Sequence, residues 1–279
     1  MQIWKKGSEL MPADYDGLKI ERDGPVVTVS LNRAKRMNAL TPEMMESITD
    51  YFTSLNDQLD VRVVILRGEG RAFCAGADLG SDLFAPPGPG RAQRQMAMQR
   101  KASNVVAAMR ACPQPIIVLL KGPVCGGGFS MALGADVRLA APDTKMNVAN
   151  LKVGLGGPDM GSGYFLPRLI GSSAASAMML TGDFIDAQRA FDLTLVAELA
   201  EDADALDALG KAWAGRMLLA SPMGLRQTKR ALNELIDING LSAALALEDL
   251  QQTMLLETAD HREAVAAFLE KRNPEYSDE

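Results

Sequence analysis

Apolar and polar positions follow two periods along this chain. Short apolar runs at 25–31 (PVVTVSL), 61–67 (VRVVILR) and 115–120 (PIIVLL) have strand length and are bounded by Gly or Pro. Runs of that kind read as strands, and the last as one buried on both faces. Between the first two, Thr41-Pro42-Glu43 supplies an N-cap, a proline at the first helical position and an early acid. Met44, Met45, Ile48, Phe52 and Leu55 then recur at helical spacing. The methionines of this helix read as core filler rather than as contacts to a cofactor. Residues 136–140 predict a further strand, and this alternation of strand, turn and helix argues for an α/β class.

The pattern lapses between Leu79 and Arg100, where GSDLFAPPGPG is rich in Pro and Gly before RAQRQMAMQRKASNVVAAMRA turns helical. From about Glu201 the chain is mostly helical. Ser221-Pro222 caps one helix, Leu247, Leu250 and Met254 mark another, and Val265, Phe268 and Leu269 a third. The chain therefore divides into an α/β core, 1–200, and a C-terminal helical region, 201–279. The apolar surface of that second region fits either an intrachain core or a partner subunit.

Composition narrows the function. With 279 residues, 47% hydrophobic and 23% charged, the chain is an ordinary globular one. A net charge of −6 argues against a nucleic-acid surface, which draws affinity from phosphate neutralisation. No run approaches the ~18 apolar residues of a membrane span and no signal-peptide core opens the chain, so the expected place is the cytoplasm without a membrane partner. Cys74, Cys112 and Cys125 form no CxxC pair, so no metal site is indicated. The one histidine, His261, lies in a charged helical stretch, which removes histidine-based triads and pairs. Proton transfer falls to Asp, Glu, Lys, Tyr or Cys.

Two glycine-rich turns carry the candidate chemistry. PIIVLLKGPVCGGGFSM runs from a buried strand through three glycines, Gly126 to Gly128, into a small-residue helical segment at 130–135. Bare backbone N–H groups at a helix start suit an anion or a developing oxyanion, although tight strand-to-helix packing also explains the glycines. RAFCAGAD, 71–78, follows the second strand in the same way, and the two turns are placed to converge on one oxygen. Neither a Walker A pattern nor Gly-x-Gly-x-x-Gly is present.

FCAGADL, the GGG turn after PIIVLLKG, LNRAKRMNAL, VGL…PDMG…LPRLIG and AFLEKRNPEY occur in an order that resembles the enoyl-CoA hydratase/isomerase, or crotonase, superfamily over roughly 18–276. The resemblance implies a crotonase-like spiral of ββα turns with a C-terminal helical region, an acyl-CoA substrate, and no permanently bound cofactor, coenzyme A being part of the thioester. It implies Ala77 and Gly127 as oxyanion donors and places coenzyme A along Lys35, Ala39 and Ala75. It further implies a homotrimer or a hexamer of paired trimers, in which Phe268 and Lys271 reach a neighbouring subunit's coenzyme A. Leu83 and Phe84, in the irregular loop, are expected acyl contacts. Lys35 read alone is an ordinary solvated charge.

The acid–base groups depart from the family's hydratases. Their two glutamates fall here on Ser130 and Asn150, and from Arg71 through Ala197 there is no glutamate at all. Asp78 reads as an N-cap and Asp136 as a turn residue. Asp159, in the glycine-rich GLGGPDMG, reads either as a turn residue or as the single base that some isomerase-type members carry in a PDxG context. One base with an oxyanion hole suffices to move a double bond. The readings left open are this isomerase, a hydratase or hydrolase activating water through Asp159 with Ser130 or Asn150 positioning it, and a non-catalytic acyl-CoA binder.

Overall fold

The computed structural model describes residues 15–81, 83 and 88–279. Its strands are β1 (Leu18–Asp23), β2 (Val26–Leu31), β3 (Val63–Gly68), β4 (Ile116–Leu120), β5 (Pro123–Cys125), β6 (Val137–Ala140), β7 (Lys145–Asn147), β8 (Ile185–Asp186) and β9 (Glu198–Leu199). Its helices are α1 (Pro42–Ser54), α2 (Arg91–Ala111), α3 (Gly127–Gly134), α4 (Ser162–Ile170), α5 (Ser172–Thr181), α6 (Ala187–Asp192), α7 (Ala205–Leu218), α8 (Pro222–Leu235), α9 (Leu241–Leu256) and α10 (Ala259–Glu270).

A sheet in the order β1-β2-β3-β4-β6-β9 forms the spine, antiparallel at its first pair and parallel thereafter, and β5-β7-β8 form a second, smaller sheet. Because side chains alternate across a strand, β3 feeds both faces of the spine. Val64 and Leu66 join Met44, Ile48, Phe52 and Met109 in the larger core, while Val63 and Ile65 join Ile117, Leu119, Leu139, Leu206 and Ala214 in a second core. Each of the larger of these side chains is worth about 1.5–3 kcal/mol by burial. The second core makes α7 a layer of the spine sheet, although it lies beyond residue 200. By contrast α9 and α10 leave Leu241, Leu250, Phe268 and Leu269 more than two-thirds exposed.

Thr41 and Ser221 cap α1 and α8 through their hydroxyls, as their sequence context predicts. Asp78 does not cap a helix. The next helix, α2, begins only at Arg91 with Gly90 as its N-cap, and Asp78 instead pairs with Arg33 at 2.9 Å. That guanidinium, helped by the Gly80 N–H, holds the Asp78 carboxyl below the ordinary carboxylate range. Asp136 ties three elements together. It accepts from the Ile116 N–H (2.8 Å) and pairs with Arg110 and the buried Lys229, both at 3.1 Å. Among the described residues no helix is long and apolar enough to cross a membrane, and no cluster of His, Cys, Asp and Glu is suited to a metal ion.

Candidate active site

The two glycine-rich turns meet because β5 pairs with the chain that follows β3. Cys74 bridges Val124, its N–H donating to the Pro123 carbonyl (3.2 Å) while the Cys125 N–H donates to Cys74 (2.9 Å). The glycines of the triplet then do three different things. Gly126, at φ +50° and ψ −120°, turns β5 directly into α3 through a backbone region closed to other residues. Gly127 opens the helix. Gly128 presses on the first turn, where a Cβ would stand 2.6 Å from that of Cys74. Both the packing and the anion readings of the triplet therefore hold, at different glycines.

The first turn is held from its other side by Leu40. The Leu40 N–H donates to the Gly76 carbonyl (2.8 Å) and the Asp78 N–H to the Leu40 carbonyl (2.9 Å). In this parallel bridge Ala77 is skipped, so its own N–H faces away from Leu40. Among the described residues neither the Ala77 N–H nor the Gly127 N–H donates to a protein group. Buried Asn38 secures the segment carrying Leu40, its amide donating to the carbonyls of Glu69, Ala72 and Phe73.

Both N–H groups border a cavity of ≈ 70 Å³ lined by Leu40, Met45, Ala77, Leu83, Gln95, Met98, Gln99, Ala102, Gly127, Asn150, Leu155, Asp159 and Met160. Asp159 is the one ionisable side chain among these. A larger groove of ≈ 530 Å³ between the spine sheet and α7 is bordered by Arg67, whose charge is met by Glu21, Glu69 and Asp207. Nothing in that groove resembles the paired backbone donors of the smaller one.

The Asp159 main chain is pinned on both sides. Its N–H donates to Ser162 Oγ (3.0 Å), and its carbonyl accepts from the Ser162 N–H (2.9 Å) and from Ser130 Oγ (2.9 Å). Its half-buried carboxylate takes Gln99 Nε2 on Oδ1 at 2.6 Å and Asn150 Nδ2 on Oδ2 at 3.4 Å. Burial pushes the Cys74 thiol up to about 12 and the Cys125 thiol up to about 11, so neither is a thiolate at neutral pH.

Ala77, Gly127, Leu83, Asn150 and Asp159 thus come together in one cavity. Ser130 stands behind it, its hydroxyl spent on the turn that carries Asp159 rather than on the cavity. Lys35 is exposed on a short 3₁₀ turn (Ala34–Arg36), the Ala39 carbonyl accepts from Arg33, and the Ala75 N–H donates to the Met37 carbonyl (2.9 Å). Phe268 and Lys271 lie at the end of α10, which packs on α9, and Phe268 is 82% exposed. Phe84 lies outside the described residues. Gln99 and Met45 join the cavity without being expected there. Met45 reads as core at its helical position, and it is core as well, since the cavity is an opening in the larger core.

The sequence model described as enoyl-CoA hydratase/isomerase matches residues 21–279. The chain is 36% identical over 260 residues to the Mycobacterium bovis protein named "Probable enoyl-CoA hydratase echA12", covering 91% of this chain and 90% of that one. It is 32% identical to the 1,2-epoxyphenylacetyl-CoA isomerase of Escherichia coli, over 90% of this chain and 95% of that protein. Among solved structures, the enoyl-CoA hydratase of Bacillus anthracis superposes with a TM-score of 0.88 at 29% identity, covering 94% of this chain and all of that one. Matched over nearly its whole length, this chain belongs to the enoyl-CoA hydratase/isomerase family.

Proposed function

We propose that the protein is an acyl-CoA enzyme that moves a proton, and with it a double bond, through a thioester enolate. The supporting observation is that, among the described residues, Asp159 is the only ionisable side chain bordering the cavity that also holds the N–H groups of Ala77 and Gly127. The thioester oxygen sits between those two N–H groups, with the positive end of α3 behind Gly127. As the proton leaves carbon, negative charge grows on that oxygen, and each preorganised donor is worth about 3–4 kcal/mol of barrier. Asp159 takes the proton, becomes the neutral acid, and returns it to the other end of the allylic system. Leu40, Met45, Met98, Ala102 and Met160 give the acyl group an apolar wall and leave little room for bulk water. Coenzyme A would run outward past Ala75, Ala39 and Lys35.

A hydratase reading rests on a different observation, the pairing of Asn150 with Asp159, which together offer a water both a donor and a base. The apolar exposure of α9 and α10 supports a homotrimer or a hexamer, in which Phe268 and Lys271 reach a neighbour's coenzyme A. Light scattering on a sizing column tests that assembly.

The reaction is tested by mass spectrometry of 2-enoyl- and 3-enoyl-CoA thioesters incubated in D₂O with the wild type and with Asp159→Asn. A migrated double bond, lost in the variant, is the expected result. A product heavier by water and equally lost makes the enzyme a hydratase acting through the same residue. Tight binding without turnover by the wild type makes it a binder.

A further inference from the structure

Asp159 makes no ion pair with any described residue, so its orientation is left to two amides of unequal reach. On one side Gln99 Nε2 donates to Oδ1 at 2.6 Å, short for an amide donor and in keeping with a charged acceptor. On the other side Asn150 Nδ2 stands 3.4 Å from Oδ2, at the long limit of a hydrogen bond. The backbone of Asp159 is fixed by Ser162 and Ser130, so the remaining freedom of the carboxylate is rotation about its side-chain bonds. The Gln99 contact removes that rotation.

Gln99 is well placed for the task. It stands on α2 one turn before Ala102, and Ala102, Val105, Val106 and Met109 anchor that helix in the core. Gln95, one turn earlier, donates from Nε2 to the Leu83 carbonyl (3.3 Å), so successive turns of α2 hold Leu83 and the acidic turn against the same cavity. An amide also orients a carboxylate without neutralising it, and it does not itself act as an acid or base.

We propose that Gln99 is the positioning residue of Asp159: it commits Oδ1 and leaves Oδ2 as the oxygen that takes the substrate proton and gives it back. The inference rests on the reading of Asp159 as the base. In the step, a C–H bond of the acyl group breaks, its electrons pass to the thioester oxygen, and the proton forms an O–H bond at Oδ2. Return of that proton to the distal carbon breaks the O–H bond and restores the carboxylate. With Oδ1 bound to Gln99, the acid cannot swing its proton to water, so the same proton returns to substrate.

Gln99→Met keeps the length and removes the donor. Gln99 is exposed, so the variant should fold, and an unchanged thermal transition checks this. The expected result is a kcat lower by about 10- to 100-fold, the scale of a misplaced catalytic group, with KM held within about 2-fold. In D₂O the rearranged product should carry more solvent deuterium per turnover than the wild-type product. A wild-type kcat and deuterium fraction in Gln99→Met overturns the inference, and so does a change confined to KM, which would make Gln99 a substrate contact. Failure of the underlying reading looks different, since Asp159→Asn would then retain turnover whatever Gln99→Met does.

Discussion

Gly128 and Cys74 touch where the two glycine-rich turns cross: a Cβ on the glycine would stand 2.6 Å from Cys74 Cβ and 2.7 Å from both its carbonyl oxygen and its sulfur. Cys74 is three residues before Ala77 and Gly128 one residue after Gly127, so this contact lies between the two segments that carry those N–H groups.

Gly128→Ala therefore acts as a wedge between the donors. Overpacking of a buried contact costs about 1–3 kcal/mol, read by urea denaturation. The catalytic loss should exceed what that stability loss explains, with kcat falling about 10²-fold or more at saturating thioester, as if one donor were misplaced. A variant with full kcat would mean that the turns are not spaced by this contact.

Gly127→Ala separates access from spacing. Gly127 has helical backbone geometry, so alanine fits the chain, but its Cβ would meet Met160 Sδ at 3.1 Å and Leu40 Cδ1 at 3.3 Å. The methyl group narrows the cavity rather than moving a donor. The expected signature is a raised KM, or Kd for a non-reacting acyl-CoA, larger than the fall in kcat, with unfolding stability within about 1 kcal/mol of wild type. Calorimetric titration with acetyl-CoA reads the affinity directly.

How much of this was legible along the chain follows from how much each feature depends on local pattern. β3 and β4 can be read because both their faces are buried, and α1 because Thr41 and Pro42 announce it. The helical start expected at residue 130 lies at Gly127, since the unusual Gly126 conformation hands the strand straight to the helix. β7 and β8 contain three and two residues, too few to show a period. Asp78 carries the composition of an N-cap, but Arg33, distant in sequence, claims it. The two glycine-rich turns were legible as bare backbone, but Ala77, Gly127 and Asp159 were singled out within them through family resemblance, because a backbone N–H leaves no side-chain signal. Gln99 gave no signal: the first half of α2 is polar and exposed on most sides, and its partner lies 60 residues away.

Asp136 offers a purely structural test. It joins α2, β4 and α8 through Arg110, the Ile116 N–H and Lys229, and Lys229 is 4% exposed. Asp136→Asn leaves the lysine ammonium with only the carbonyls of Met109 and Gln114 and the Cys112 sulfur. Stranding a buried charge should cost about 3 kcal/mol in urea denaturation. Turnover of the remaining folded enzyme should be unchanged, since Asp136 does not border the cavity.

The C-terminal tail carries a pH dependence whose sign can be worked out. Two hydrogen bonds from Arg272, and a third from the Glu275 N–H, lower the Glu263 carboxyl from 4.5 to about 2. A depressed carboxyl stabilises the folded state above its unfolded value and loses that contribution as pH falls through its folded one. The tail contacts at Glu263 are thus fully present above about pH 4.5 and fade toward pH 2. A carbon-13 titration of the Glu263 carboxyl should show a midpoint near 2, and Glu263→Gln should let carboxypeptidase trim the tail faster at pH 7. A midpoint near 4.5 would mean that Arg272 does not hold the carboxylate in solution.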